Sequence, residues 1–415
     1  MLTELALSAT ADPALSGRAG TIAARRVGEA AERDVERQLS LGFVGTYPPT
    51  RCGIATFTMS LAHAVARTPP EREIGVVSSV DAPRSIHHPP EVTAELVRGS
   101  PATIGDAASA LDRFDAVVVQ HEFGIYGGPD GREILDLVAR LTAPVVVVLH
   151  TVLAHPSPRQ RAIVDELGRL SAALVVQTEA ARSRLLATHD ALAGKVHLIR
   201  HGATADPPGL VSRGTDRRPL VLTWGLIGPT KGIEFAIDAL AGLRDLVPLP
   251  RYLVLGQTHP RVLEREGERY RESLASRARA LGVHDMLELH DGYLKSLSLL
   301  TATRAADVVV LPYLDREQVV SGVLVEAIAS GTPVVATRFP HAVELLDHGS
   351  GILVSHESST QIASALRTIL TDPGRAAQMA AVARAQGKLH AWEAVAHCYC
   401  RLASEIVAAR ADARS

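Results

Sequence analysis

The sequence predicts an α/β protein built from two doubly wound halves that face each other across a central cleft, and three observations carry that prediction. Short β-branched runs alternate with longer Ala/Leu/Arg-rich stretches, the pattern of parallel sheets with helical crossovers. Several of those runs, DAVVVQ and PVVVVLH among them, are apolar at nearly every position, so both faces of each strand must be covered. Near residues 203–219 the alternation gives way to ATADPPGLVSRGTDRRP, where proline, glycine and charge crowd together as in a linker. At 415 residues the chain exceeds one ordinary core, and two Rossmann-like domains are expected, over 39–208 and 209–390.

Residues 1–38 are rich in Ala, Arg and Glu and read as a flexible extension outside the core. Strands are expected in the first half at Leu41–Thr46, Ile74–Ser79, Ala116–Gln120, Val145–Leu149, Leu174–Gln177 and Val196–Ile199. The second half repeats the rhythm at Leu220–Trp224, Tyr252–Leu255, Met286–Leu289, Val308–Leu311, Val334–Ala336 and Ile352–Val354. A last helix begins near Trp392. Ligands of such sheets lie beyond the carboxyl ends of the strands, so both halves are expected to line one cleft.

Composition narrows the function. Hydrophobic residues make up 47% and charged residues 21%, as in soluble globular proteins. A net charge of −2 supplies no general pull toward nucleic acid. Cys52, Cys398 and Cys400 form no CxxC pair, so neither a disulfide framework nor a thiolate zinc site is indicated, and a reducing cytoplasm is the expected compartment. No apolar run reaches the roughly 18 residues needed to span a bilayer, and the N-terminus lacks the basic-then-apolar order of a secretory signal.

The densest chemistry lies in residues 306–354. A buried strand enters a polar loop, and a helix opens at Ser321-Gly322, carries Glu326 and ends at Gly331. Unpaired N–H groups and the helix dipole converge at such an opening and favour an anion. A carboxylate one to two turns further in suits ribose hydroxyls. The first βα turn, GTYPPTRCGIATF, offers a second close backbone approach at Gly53 with Arg51 just before it, although an ordinary βα turn reads the same way. In TWGLIGPTKGIEF, Lys231 stands at a helix start where its ammonium would meet phosphate charge, unless it is merely solvated. The spacing is not that of a P-loop, and no GxGxxG follows either half's first strand, which speaks against an NAD-dependent oxidoreductase. His121-Glu122 and His150-Thr151 each end a strand, where an imidazole can donate to a hydroxyl or relay a proton. His201-Gly202 ends the first half, in a hinge or cleft-lining position. His87-His88 falls in a Pro-rich loop and reads as solvated. The seventeen histidines show no HExxH or similar cluster, and no DxD triplet is present to hold a divalent ion.

The stretch EAIASGTPVVAT at 326–337 resembles the donor-binding motif of retaining GT-B glycosyltransferases of family 4. That family places two glutamates with seven residues between them, the second opening this stretch. Glu326 fills the second position, but Gln318 occupies the first, and Gln carries no charge. Glu317 could serve only after a register shift. The resemblance covers roughly residues 40–410. It implies an N-terminal acceptor domain, a C-terminal donor domain and a final helix, 391–410, that crosses back to the first. It also implies a hexose moved from a nucleotide-diphosphate sugar, a UDP- or GDP-sugar, to a hydroxyl of a glycan, glycolipid or small molecule. No cofactor and no metal are expected, because cations and backbone amides stabilise the leaving diphosphate.

By the same resemblance, Gly53 faces the donor diphosphate, His121 lies near the transferred sugar and Glu344 matches a recurrent glutamate. Lys231 matches half of a two-cation clamp whose arginine position is held by Leu226, and Arg51 is expected to compensate from across the cleft. Candidate catalytic residues are thus His121, Lys231 and Gln318. Donor-binding candidates are Arg51, Gly53, Lys231, Ser321, Gly322, Glu326 and Glu344, with His150 and Thr151 on the acceptor side. A lipid-linked acceptor leaves peripheral membrane contact open. The departures at 226 and 318 also keep open a nucleotide-sugar-binding protein without transfer activity, or a GT-B sugar-nucleotide epimerase.

Overall fold

A computed structural model describes residues 39–84, 88–204, 218–292 and 296–413; the extension at 1–38, His87 and most of the expected linker lie outside them. The first parallel sheet runs β3-β2-β1-β4-β5-β6-β7. Its strands are β1 (Leu41–Gly45), β2 (Ile74–Val80), β3 (Val92–Val97), β4 (Ala116–His121), β5 (Val145–Leu149), β6 (Ala173–Val176) and β7 (Val196–Leu198). The second runs β10-β9-β8-β11-β12-β13. It is made of β8 (Leu220–Trp224), β9 (Arg251–Leu255), β10 (Leu287–His290), β11 (Val308–Leu311), β12 (Val334–Thr337) and β13 (Gly351–Val354).

The all-apolar strands are explained by what covers them. On β4, Val117 and Val119 face one layer with Leu111 and Leu137, while Val118 faces the other with Phe43, Phe57 and Leu61. Alternate side chains are therefore buried on opposite faces, and each large one contributes about 1.5–3 kcal/mol. Strand β3 was not expected. It is an edge strand on which only Leu96 is fully buried, so it lacks the continuous apolar signature. Its Glu95 accepts from the Arg84 N–H and approaches His88 at 3.4 Å, so His88 is paired rather than simply solvated.

Helix α1 (Gly53–Ala66) follows β1. The long terminal helix α7 (Trp392–Asp412) lies beside it on the first sheet, where Val395, Tyr399 and Leu402 join the cluster of Phe43 and Phe57. The chain therefore passes between the lobes twice. The two passages are tied together: the Ala203 N–H donates to the His390 carbonyl at 2.6 Å, and the Trp392 N–H donates to the Ala203 carbonyl at 3.2 Å. Among the described residues no helix is long and apolar enough to cross a membrane.

Candidate active site

In each sheet the strand order reverses once, between β1 and β4 and between β8 and β11. A crevice opens at such a point because successive crossovers leave to opposite faces. The carboxyl ends of these four strands and the turns and helix starts that follow them carry Gly53, His121, Lys231 and Ser321-Gly322, so topology places most of the sequence-derived candidates at the two switch points.

In the first lobe Cys52 caps α1, its Sγ accepting from the Ala55 N–H at 3.4 Å. The space over Gly53 is open, and Arg51 is exposed beside it. His121 is fully buried, and neither ring nitrogen has a hydrogen-bond partner among the described residues. Burial lowers its pKa to about 4, so the ring is neutral at pH 7, with one nitrogen to donate and one to accept. A buried polar group left unpaired by its own fold is costly and marks a site. Glu122 next to it accepts from the Thr151 hydroxyl and from the Phe123 N–H at 3.0 Å, which fixes its carboxylate. Thr151 thus positions Glu122. His150 is also engaged, its Nε2 lying 2.8 Å from Gln120 Oε1 and its ring edge-on to Phe57 at 4.8 Å.

In the second lobe the loop after β8 ends in a single 3₁₀ turn, Pro229–Lys231, before α3 (Ile233–Ala241). Gly232 makes the junction at φ 60°, and a Cβ there would meet the Pro312 carbonyl oxygen at 2.1 Å. Gly232→Ala is therefore expected to cost about 2–4 kcal/mol in urea unfolding, from left-handed strain and backbone overlap together. The Lys231 ammonium lies 3.9 Å from the centroid of Tyr313, a ring stacked on Phe339. This cation–π contact aims the charge at the end of β11.

Helix α5 (Gly322–Ala329) starts after that strand. Ser321 caps it through Leu324 N–H at 3.3 Å, and the Ser321 N–H donates to His341 Nδ1 at 2.8 Å. The N–H groups of Gly322 and Val323 have no partner among the described residues. Gly322 also permits close approach from the first lobe, since a Cβ would lie 3.0 Å from His201 Nε2. His201 Nδ1 donates to the Gly202 carbonyl at 2.7 Å, leaving Nε2 as the acceptor. Glu326 is anchored by the Trp224 indole N–H at 3.3 Å, and burial raises its pKa to about 7.

Two expected site residues, Glu344 and Gln318, and the alternative Glu317 are engaged elsewhere. Glu344 lies on α6 (Pro340–Leu346) and accepts from the N–H groups of Glu179 and Ala180 at 3.1 and 3.2 Å. It thereby caps α2 (Glu179–Thr188) of the first lobe with an anion at the helix's positive end. Glu317 pairs with Arg184 at 2.8 Å, so the register shift that would let it replace Gln318 has not occurred. The Gln318 amide donates to its neighbour Val320's carbonyl at 2.9 Å. The Glu344 and Glu317 contacts, with Thr178 Oγ1 donating to the Val319 carbonyl at 3.0 Å, clasp the lobes. Residues that the sequence did not single out here are Trp224, Tyr313, Arg261 and His341. No group of His, Cys, Asp or Glu suited to a metal occurs among the described residues.

Residues 212–386 match the family of glycosyl transferases group 1. A D-inositol 3-phosphate glycosyltransferase of Xylanimonas cellulosilytica is 30% identical over 227 residues, 51% of this chain and 52% of that protein. A GDP-mannose-dependent alpha-(1-6)-phosphatidylinositol monomannoside mannosyltransferase of Mycolicibacterium smegmatis is 32% identical over 177 residues, 41% of this chain and 44% of that protein. The matches thus span about half the length of these curated relatives. Among solved structures, sucrose-phosphate synthase of Thermosynechococcus elongatus superposes with a TM-score of 0.71 at 18% identity, over 89% of this chain and 100% of that one. The Anabaena protein HepE in complex with UDP gives 0.68 at 17%, over 88% and 100%. The chain has the GT-B fold, and its residues 212–386 match the glycosyl transferases group 1 model.

Proposed function

We propose that the protein is a retaining glycosyltransferase that moves a hexose from a nucleotide-diphosphate sugar, a UDP- or GDP-sugar, to a hydroxyl acceptor. The observation that carries this reading is the convergence of Lys231, the Gly322 helix start and the unpartnered His121 at the facing switch points. Cleaving a sugar–phosphate bond builds negative charge on the diphosphate, and fixed donors aimed at that charge lower the barrier. Lys231 and the N–H groups of Gly322 and Val323 supply it, with Gly53 and Arg51 on the facing loop. Glu326, held by Trp224, receives the ribose hydroxyls. His121 orients the sugar, Gln318 joins it only by releasing the Val320 carbonyl, and the departing phosphate takes the acceptor's proton, so no protein nucleophile is assigned. The relatives named for inositol phosphate and phosphatidylinositol substrates support a polyol or lipid-linked acceptor, reached from the cytoplasm at the membrane surface.

The uncharged Gln318 and Leu226 favour a second reading, donor binding without transfer. Incubation with UDP-, GDP- and ADP-sugars, with and without candidate acceptors, separates the two. Transfer predicts nucleotide release that rises at least tenfold with an acceptor. Ligand-induced thermal stabilisation without any release would leave only binding.

A further inference from the structure

One ammonium is little charge for a departing diphosphate, and two other cations near the second sheet's carboxyl edge are committed. Arg271 is tied to the Gly256 carbonyl, Glu268 and Asp291. Arg316 pairs with Glu357 at 3.7 Å. Arg261, in α4 (Pro260–Glu266) after β9, forms no ion pair with a described residue.

Backbone pairing places Arg261 beside Lys231. The loops after β8 and β9 are joined: the Ile227 N–H donates to the Gln257 carbonyl at 2.9 Å, and the His259 N–H donates to the Ile227 carbonyl at 2.8 Å. His259 Nδ1 accepts from the Arg261 N–H at 3.2 Å, and its imidazole is held below its ordinary pKa by burial first, then by the charges of Arg261, Lys231 and Arg265. From this shelf the Arg261 guanidinium reaches across the cleft. A Cβ on Gly124 would lie 2.7 Å from its Nη2, so the group rests on bare backbone in the loop that follows His121. Its field also opposes the rise that burial imposes on the Glu122 carboxyl.

We propose that Arg261 is the second cation for the donor diphosphate, serving from the loop after β9 where the loop after β8 carries Leu226. The inference rests on the nucleotide-sugar reading above. A guanidinium can take two phosphate oxygens at once, which an ammonium cannot. Its place between the lobes couples diphosphate binding to the approach of the His121 loop.

Calorimetric titration at low ionic strength tests this with UDP, GDP and ADP, each beside its monophosphate, on the parent protein, Arg261→Ala, Arg261→Lys and Arg265→Ala. For whichever diphosphate the parent binds, Arg261→Ala should weaken affinity by about tenfold and leave the monophosphate nearly unchanged. Arg261→Lys should recover part of the loss, and Arg265→Ala should move neither. Equal weakening of monophosphate and diphosphate, or diphosphate affinity within about twofold of the parent, overturns the assignment. A parent protein that binds none of the three diphosphates overturns the nucleotide-sugar reading itself, and this inference with it.

Discussion

Lys231→Ala should lower turnover of a nucleotide-sugar donor by about a hundred- to a thousandfold while leaving the protein folded. The magnitude is that of removing one preorganised charge donor from a developing anion. Lys231 is half-buried, and the local stability it adds is a cation–π contact with Tyr313 of about 0.5–1 kcal/mol, so unfolding should hardly change. Lys231→Arg keeps the charge but replaces a compact ammonium with a planar fork, and should recover only part of the rate. Steady-state turnover and a urea titration on the same samples decide the matter. Turnover within tenfold of the parent would take Lys231 off the leaving-group side.

The second large effect is loss of stability in mild acid. Burial lowers the pKa of His121 and His201 to about 4, and of His150 and His341 to about 3. Between these values and the ordinary value near 6.5, the unfolded chain binds protons that the folded chain refuses, so stability falls as pH falls through that window. Glu326 acts in the opposite sense. Its folded pKa of about 7 means that the folded state takes up a proton earlier than the unfolded one, which stabilises the fold on acidification from 7 toward 4.5. Four imidazoles outweigh one carboxyl, and these groups together predict uptake of about three protons on unfolding near pH 5.5. The slope of unfolding free energy against pH, measured from pH 7.5 to 5, reads this number directly. A flat profile would mean that the histidines are already hydrated and charged in the native protein.

Much of the architecture was legible because the strands are written in valine. Runs such as Val145–Leu149 and Leu220–Trp224 coincide with observed strands, since residues buried on both faces leave a continuous apolar signature. Strand β3 was silent for the converse reason: at the edge, Thr93 and Glu95 alternate with apolar neighbours. The residues at strand ends were legible too, because a glycine, lysine or histidine just past a buried run has few other uses. Contacts made by the meeting of lobes were not. Glu344 reads like a ligand-facing carboxylate until α2, 165 residues earlier, supplies the N–H groups that it caps. Glu317 likewise gives no local sign of Arg184, 133 residues away. Arg261 was silent because Gly124, the feature that makes it notable, lies on another lobe.

The paired passages at Ala203 and Ala391 restrict how this molecule can breathe. Two backbone segments bonded side by side tie the lobes together more firmly than a single strand of chain would. His201 and the start of α5 at Gly322 lie beside this junction, whereas the Arg184–Glu317 and Glu344 contacts join the lobes through side chains alone. On the proposed function, an anion site beside so firmly tied a junction is assembled before the donor arrives.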